Sequence, residues 1–322
     1  MQRHEFRAMG CQILAVIDRP DPALTERLLA AEGWFADWER QLSRFRPDSA
    51  LARLNRDGSI SQAPDALWEV VGLALRLAER SDGLLTPTIL PALIAHGYDR
   101  PFDQLAGAVA PGAGLDATAG HPLVGDWRAI RLDPATRSIA LPAGVALDLG
   151  GCAKGWAADQ AMRRLAEAGP ALVDAGGDVA ISGPTAGADG TPARWPIAIA
   201  DPRRPEADLA LLMLRGGGVA TSGSDYRRWR SEAGWQHHLI DPRTGRPADT
   251  DLLSATVIAP DVLQAEAAAK LVFLRGAAAG IAWLDQQPGC AGVAVALDGA
   301  IHPSQRYPAF LWGAAPDEVR YE

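Results

Sequence analysis

Two adjacent histidines, His237 and His238, begin the segment HHLIDPRTGRP (residues 237–247), although the chain holds only six histidines. A positioned imidazole can exchange a proton near neutral pH or contact a phosphate. If residues 235–240 form a strand, the two rings face opposite sides, so one ring can face a pocket. The Asp-Pro and Thr-Gly pairs that follow predict a tight turn. A histidine bonded only to the backbone would show the same pattern, so both interpretations stay open.

A glycine-rich segment, GGCAKGWAAD at 150–159, contains Lys154, one of only two lysines in the chain. A strand that ends at Asp148, a glycine turn and a helix that begins near Lys154 would surround an anion with backbone amides, a helix N-terminus and an ammonium group. The spacing matches neither a Walker A loop nor a GxGxxG fingerprint. The segment therefore predicts either a phosphate or pyrophosphate seat or a plain strand-to-helix turn.

Two further segments allow a similar choice. DAGGD at 174–178 is either a plain hairpin turn or a turn whose backbone amides, at Gly176 and Gly177, contact a ligand. Thr221 and Ser222 follow a glycine-rich strand entrance, where hydroxyl groups either bind phosphate oxygens or cap a turn. Both segments therefore predict either ordinary turns or groups that bind an anionic ligand.

A carboxylate and an ammonium group, at Glu266 and Lys270, stand four residues apart on a predicted helix. At that spacing the side chains are neighbours on the helix surface, so a salt bridge is the simplest prediction. The Glu266 carboxylate is also an oxygen ligand of the kind that Mg²⁺ binds. The pair therefore predicts either an ion pair or part of a metal site.

The composition restricts the classes of partner. The chain has 322 residues, of which 48% are hydrophobic and 22% charged, and its net charge is −8. Because nucleic-acid phosphates bind basic surfaces, this charge argues against a nucleic-acid partner. No apolar run approaches the roughly 18 residues that a membrane helix needs, so we expect no membrane span. The N-terminus resembles no signal peptide, and we therefore expect a cytoplasmic location.

The elements that must position these residues alternate between helices and short strands. Helices are predicted over 22–44, 65–80, 155–168 and 262–274. Strands are predicted at 6–18, 127–133, 138–149, 195–202, 208–215, 217–223, 235–242, 254–260 and 292–299, with a strand on each side of the glycine turn in 171–183. Residues 101–125 are predicted to be loop or short helix. This pattern indicates an α+β chain, with a helical first third followed by a mostly antiparallel sheet.

These motifs occur in one order with MGC at 9–11, LSRFRPDSALARLN at 42–55 and DGLLTPTILPAL at 82–93. In this order they resemble the ApbE family, the FAD:protein FMN transferases, over about residues 6–300. The resemblance implies a two-lobed, T-fold-like α+β architecture, with a mostly antiparallel sheet, packed helices and FAD in a central cleft. It implies one domain over residues 1–322, whose two lobes share that cleft.

The resemblance implies that FMN moves from FAD, the substrate, onto a Ser or Thr hydroxyl of an acceptor flavoprotein, with release of AMP. Two alternatives are hydrolysis of FAD to FMN and AMP, and FAD binding without transfer. The acceptor itself is not readable from the sequence.

The resemblance also implies roles for individual residues. Met9 and Phe45 would pack against the isoalloxazine ring, because a flat apolar ring favours a thioether and an aromatic face. Ser222 and His238 would lie at the phosphates and take part in catalysis. The other residues implied to bind FAD are Ser49, Thr86, Thr88, Asp148, Lys154, Gly176, Gly177, Thr221 and Ile240.

A magnesium ion beside the pyrophosphate, faced by the Gly151 carbonyl, is also implied by the resemblance. Family members usually have Asp at the position of Glu266 and Thr at the position of Lys270, and both ligate this metal. A protonated lysine cannot ligate a cation. Either Lys270 pairs with Glu266, or its ammonium replaces the metal as a catalytic positive charge. Magnesium therefore stays open as a cofactor.

Overall fold

The computed structural model describes residues 1–105, 109–110, 123–187, 190–231 and 234–313. Most of the segment 101–125, which was predicted to be loop or short helix, lies outside these residues. The helices are α1 (Thr25–Leu42), α2 (Ala50–Asp57), α3 (Asp65–Arg80), α4 (Leu90–Ala95), α5 (Phe102–Leu105), α6 (Ala153–Ala166), α7 (Val262–Arg275) and α8 (Ala277–Leu284). Short 3₁₀ helices lie at Pro22–Leu24, Trp127–Ala129 and Tyr307–Phe310.

Strands are spread along the whole chain. They are β1 (Gln2–Ala8), β2 (Cys11–Ile17), β3 (Ser59–Ile60), β4 (Val109–Ala110), β5 (Arg131–Asp133), β6 (Ser138–Ala140), β7 (Ala171–Ala175), β8 (Val179–Ile181), β9 (Thr185–Ala186), β10 (Pro192–Ala193), β11 (Trp195–Asp201), β12 (Arg204–Leu214), β13 (Gly217–Gly223), β14 (Arg228–Ser231), β15 (Gly234–His237), β16 (Ile240–Asp241), β17 (Arg246–Pro247), β18 (Leu252–Ala259), β19 (Ala291–Ala296) and β20 (Ile301–Pro303).

The chain divides into two compact units. One comprises residues 1–34, 154–225 and 250–322, and the other comprises residues 35–153 and 226–249. We call them the sheet unit and the helical unit. The prediction of one domain with one shared cleft stays a prediction.

The sheet unit is built on one large antiparallel sheet. Within the described residues its strand order is β1-β2-β7-β8-β13-β18-β19-β20, and every neighbouring pair is antiparallel. Apolar side chains on one face form a core with the β11–β12 hairpin, and this core includes Val219, Ile258, Trp195 and Leu212. Helix α7 packs against β13 and β18. The α+β class predicted from the sequence is confirmed.

The helical unit contains α2 to α5 and three small sheets of short strands, in the orders β3-β6-β5, β15-β14-β4 and β16-β17. Ser49 caps the start of α2 by accepting a hydrogen bond from the Ala52 amide. Gly58 ends that helix with a φ of 73°, a backbone conformation that favours glycine. The described part of this unit therefore consists of helices and short strands rather than one large sheet.

The structure confirms the predicted helix at 65–80 as α3, and finds those at 22–44, 155–168 and 262–274 with shifted ends. Sequence patterns missed α2, α4 and α8, which are short. The single strand predicted at 6–18 is wrong, because β1 and β2 form a hairpin there. Met9 and Gly10 adopt φ values of 50° and 70°, as a two-residue hairpin turn requires. The first third of the chain is therefore not purely helical.

Gly218 of β13 lets α7 approach the sheet closely. A Cβ at this position would overlap the backbone of Val262, at the start of α7. We expect Gly218→Ala to lower the free energy of unfolding by about 1–3 kcal/mol, the usual cost of overpacking. Urea denaturation measures this change. The control is Gly33→Ala at an exposed position of α1, where a Cβ meets nothing within 4 Å, and a more stable or unchanged protein is expected. Equal stability of both variants would contradict the close packing.

Candidate functional site

Three sequence motifs of the helical unit are joined by hydrogen bonds. The Asn55 side chain, at the end of LSRFRPDSALARLN, donates to the Leu147 carbonyl at 2.9 Å and accepts from the Leu147 amide at 2.7 Å. The Asp148 amide donates to the carbonyl of Pro87, between the two threonines of TPT, at 2.8 Å. Residues that are far apart in the sequence are therefore neighbours here.

An ion pair between Arg44 and Asp148 lies at the centre of this arrangement. Arg44 Nε lies 2.7 Å from Asp148 Oδ2, and the side chains are 7% and 11% exposed. The other carboxylate oxygen accepts a hydrogen bond from the Gly150 amide at 2.8 Å. The guanidinium Nη2 is buried with no hydrogen-bond partner. Asp148 was predicted to contact FAD, and its charge is already compensated by Arg44.

An aromatic cluster lies beside this pair. The guanidinium carbon of Arg44 lies 4.0 Å from the ring centre of Phe45 and 4.5 Å from that of Tyr98. The ring centres of Tyr98 and Trp229 are 5.1 Å apart. Ile240, predicted to bind FAD, is buried in the same core. The cluster combines a cation with apolar ring faces, which suits contact with a flat conjugated ligand.

Three predicted FAD-binding hydroxyl groups in this unit are already hydrogen-bonded. The Ser49 hydroxyl donates to the Ser43 carbonyl at 2.6 Å and accepts from the Ala52 amide at 2.9 Å. The Thr88 hydroxyl donates to the Gly125 carbonyl at 2.7 Å, so Thr86 donates in the 2.8 Å contact between the two threonine hydroxyls. Ser49 and Thr88 are fully buried, whereas Thr86 is half-buried.

The two adjacent histidines lie in different environments. The strand predicted over 235–242 is interrupted, because β15 ends at His237, His238 lies in a bend and β16 begins at Ile240. The Leu239 amide donates to His237 Nδ1 at 3.3 Å, so Nε2 carries the proton in its 3.0 Å bond to the Ala248 carbonyl. Burial lowers the pKa of His237, and the backbone therefore holds a neutral ring.

His238 has a different hydrogen-bonding pattern. Its Nδ1 lies 3.4 Å from the Arg227 carbonyl. Since a carbonyl can only accept, the proton sits on Nδ1 and the lone pair of the neutral ring on Nε2. Asp241 holds the turn that follows, because its carbonyl accepts from the Gly245 amide at 2.8 Å. Arg243 bonds lower the pKa of Asp241 against the opposing effect of burial.

In the sheet unit, four charged side chains form a cluster, which we call the lysine cluster: Lys154, Asp178, Glu266 and Lys270. Lys154 forms an ion pair with Asp178, and its Nζ lies 3.9 Å from Glu266 Oε1. Lys270 Nζ lies 3.1 Å from the same oxygen. The Gly155 amide donates to Glu266 Oε2 at 3.2 Å. Burial raises the pKa of Glu266, and the Lys270 ammonium acts in the opposite direction.

These residues do not fit a magnesium site. Both Glu266 oxygens already have positive or N–H partners, and Lys270 offers no lone pair as an ammonium. Among the described residues, no group of three or more His, Cys, Asp or Glu side chains is arranged to hold a metal ion. The structure has Lys270 paired with Glu266. Gly151 lies in the turn that precedes α6, and its predicted metal contact stays a prediction.

Near Lys154, the predicted strand-to-helix unit is only half correct. Helix α6 begins at Ala153, but the preceding strand β6 ends at Ala140, so the strand predicted to end at Asp148 is wrong. Side-chain bonds from Asn55 hold Leu147 instead of a strand ladder. Periodicity alone cannot distinguish such an extended segment from a strand.

Thr221 and Ser222 point to opposite faces of the sheet, because both lie in strand β13. Ser222 is buried on the face of Gly218, against which α7 packs. Thr221 is exposed, and its hydroxyl lies 2.9 Å from that of Thr256. The two hydroxyl groups therefore do not present one surface to a phosphate, although both were predicted to surround it.

The two glycine amides of the DAGGD turn donate hydrogen bonds within the protein. The Gly176 amide donates to the Gln12 carbonyl at 3.1 Å, and the Gly177 amide donates to Asp174 at 2.7 Å. The structure thus favours the hairpin interpretation over a turn whose amides bind a ligand. A Cβ at Gly176 would overlap the side chain of Cys11, so this turn packs beside MGC. Met9 is half-buried in the β1–β2 turn.

Sequence patterns missed Arg44, Asn55 and Asp178 as site residues. Arg44 and Asn55 lie inside a quoted motif, but their partners near residue 147 are distant in the sequence. Asp178 closes DAGGD, and only the fold brings it to Lys154. The signal that the sequence offered for these three residues was that each is a polar residue inside a family motif.

The Arg44–Asp148 pair gives a stability prediction. Removing one partner of a buried ion pair commonly costs about 3–5 kcal/mol, because the remaining charge is left uncompensated. We expect Arg44→Met to lower the free energy of unfolding by this order, and Arg44→Met/Asp148→Asn to recover much of the loss. Arg46→Met is the matched control, because the Arg46–Asp48 pair is exposed and should change stability by less than about 1 kcal/mol. Urea denaturation of all variants measures the effect. An Arg44→Met loss as small as that of the control would contradict the assignment.

Comparisons with known proteins agree with this arrangement of motifs. The FAD:protein FMN transferase of Salmonella typhimurium is 34% identical over 71% of this chain and 65% of its own length. That of Treponema pallidum is 32% identical over 87% of this chain and 79% of its own length. The chain thus spans just under two thirds of the first of these relatives.

Solved structures share the fold. The ApbE protein of Thermotoga maritima superposes with a TM-score of 0.80 at 26% identity, covering 96% of this chain and 99% of its own. The apo flavinyl transferase ApbE of Pseudomonas stutzeri gives 0.78 at 24% identity over 98% of both chains. The ApbE family profile matches residues 9–294, and this chain therefore belongs to the ApbE family.

Proposed function

We propose that this chain is an FAD:protein FMN transferase, which moves FMN from FAD to a Ser or Thr hydroxyl of an acceptor protein and releases AMP. The observation that carries the proposal is the 32% identity, over 87% of the chain, to the Treponema pallidum relative of that name. The buried ion pair in the helical unit and the lysine cluster in the sheet unit supply groups that suit such a substrate.

The reaction exchanges the phosphoanhydride linkage of FAD for a phosphoester linkage to the acceptor. The acceptor hydroxyl oxygen bonds to the phosphorus of the FMN half of FAD. The bond from that phosphorus to the bridging oxygen breaks, and AMP leaves with the bond's electron pair. The hydroxyl proton passes to a base. Positive charge near the bridging oxygen stabilises the charge that develops there.

The residues of the helical unit suit the flavin half. Phe45 offers a ring face beside the cation of Arg44. We assign Thr86 to a polar contact, because it is half-buried whereas Ser49 and Thr88 are fully buried. Asp148 would act through the oxygen atoms that Arg44 and Gly150 position.

We assign three more roles to individual side chains. Met9, half-buried in a hairpin turn, would contact the ring system. Ile240 would support the aromatic cluster, because it belongs to the same hydrophobic core. Ser222 and Thr221 face opposite ways, and we keep only Ser222, on the α7 face, as a phosphate contact.

His238 is our candidate for the base. The Arg227 carbonyl fixes the proton on Nδ1, so Nε2 is the nitrogen that accepts the acceptor's hydroxyl proton. His237 cannot do the same, because both of its ring nitrogens bond the backbone. We therefore assign the proton transfer to His238 and a structural role to His237.

Two measurements test the proposal. AMP release from FAD is measured with and without a flavoprotein subunit that accepts FMN through threonine. Flavin fluorescence in a denaturing gel then shows whether that subunit has been labelled. Labelling of the acceptor together with AMP release supports transfer. AMP release without any acceptor supports the hydrolase alternative. FAD binding without AMP in either condition would contradict both activities and support the non-catalytic alternative.

We expect His238→Ala to bind FAD with unchanged affinity but to transfer FMN about 10²- to 10⁴-fold more slowly, the usual effect of losing a general base. Flavin-fluorescence titration and AMP release measure the two quantities. His302→Ala in β20 is the control and should match the unchanged protein. His237→Ala should instead lower thermal stability, since the Leu239 amide loses its acceptor. Unchanged turnover in His238→Ala would remove this residue from the mechanism.

A further inference from the structure

In the lysine cluster the side chains that carry positive charge are more exposed than those that carry negative charge. The side chains of Lys154 and Lys270 are each 16% exposed, whereas those of Asp178 and Glu266 are 4% and 2% exposed. The lysine side chains are therefore the part of the cluster that a ligand can reach. An anion is the complementary ligand for such a surface.

The cluster is neutral without a metal ion. Two ammonium groups balance two carboxylates within 3.9 Å. Asp174 adds a third carboxyl near Asp178 and Lys154, and burial raises its pKa. A divalent cation placed at Glu266 would face two ammonium groups at close range, and their repulsion opposes its binding.

Tertiary packing fixes the position of these charges. Glu266 sits against the amide of Gly155, where a Cβ would overlap its carboxylate oxygen. Glycine at 155 therefore lets α6 and α7 approach closely enough to bury the carboxylate. Glu266 then forms ion pairs with Lys270, one turn along α7, and with Lys154 of α6. Both ammonium groups are positioned before any ligand binds.

We propose that Lys154 and Lys270, held by Asp178 and Glu266, take the place of a divalent metal ion at the FAD diphosphate, so that this chain transfers FMN without one. The proposal rests on the proposed function. The ammonium groups compensate the charge on the bridging oxygen as its bond to the FMN phosphorus breaks. They form hydrogen bonds to phosphate oxygens and transfer no proton.

The first test uses full-length protein freed of metal by EDTA and gel filtration. FAD affinity by flavin fluorescence and AMP release in the presence of acceptor should change by less than about twofold when MgCl₂ is added. Electron paramagnetic resonance with MnCl₂, a probe of magnesium sites, should detect no tight binding. Loss of AMP release in EDTA with recovery in MgCl₂, or a tight Mn²⁺ site, would overturn the proposal.

Variants of Lys270 provide the second test. Lys270→Met should weaken FAD binding and slow AMP release, each by about 10- to 100-fold, because a charge-assisted bond to phosphate is lost. Lys270→Arg retains the charge and should preserve most of both. Arg275→Gln is the matched control, because it removes a positive charge from the same helix as Lys270 at an exposed position. Equal behaviour of Lys270→Met and Arg275→Gln, with both folded by circular dichroism, would overturn the proposal.

The double variant Glu266→Asp/Lys270→Thr tests whether the lysine and a metal ion can replace each other. It removes one ammonium and leaves a shorter carboxylate beside a hydroxyl, which are oxygen ligands for Mg²⁺. AMP release should fall in EDTA and recover with MgCl₂. Recovery of the same size in the unchanged protein would contradict the exchange.

A failure of the proposed function gives a different result. If no condition yields AMP, FMN transfer is rejected, and FAD affinity alone decides the role of the lysines. An affinity that is insensitive to EDTA and reduced by Lys270→Met supports their place at the diphosphate. An affinity that requires MgCl₂, or that Lys270→Met leaves unchanged, overturns it.

Discussion

The buried carboxylate of Glu266 is the constraint on which the sheet unit's charged groups depend. An ionised carboxylate with 2% exposure is stable only if its charge and its lone pairs are satisfied. The Gly155 amide and two ammonium groups meet that need. The close approach of α6 and α7, the glycine at 155 and the position of both lysines are therefore parts of a single electrostatic arrangement.

The helical unit repeats this principle with a different pair. Asp148 is compensated by Arg44, whose guanidinium also lies over two aromatic rings. No regular strand holds residues 147 and 148. The side chain of Asn55 and the carbonyl of Pro87 take the place of a strand ladder. A loop fixed by side chains can present polar groups at angles that a pleated strand does not allow.

The two lysines are most informative when they are considered together. The ammonium group of Lys270 would repel a divalent ion that had to bind beside it. In this fold Lys270 and Lys154 lie on different helices and converge on one carboxylate oxygen. An isolated surface pair would contribute little to stability, whereas a buried and balanced cluster defines where charge is available to a ligand.

Sequence by itself determined the elements with strong local signals. The periodic apolar positions of 65–80 are such a local signal, and the structure has a helix there. Family motifs in their order determined the family and the α+β class. The assignments of the histidines and hydroxyl groups were less secure for two reasons. The alternation argument for the histidines assumed a continuous strand, but β15 ends at His237. Thr221 and Ser222 were assigned to the same phosphates, but they lie on opposite faces of β13.

Only the tertiary structure decided which charges meet. Arg44 lies far from Asp148 in the sequence, as Lys154 does from Glu266, and no periodic pattern links the members of either pair. Hydrogen bonds and ion pairs between distant segments depend on packing, which a local pattern does not contain. The i, i+4 spacing predicted that Glu266 could pair with Lys270. It could not show that Gly155 would bury the carboxylate, or that Lys154 would arrive from another helix, because burial is a property of the whole fold.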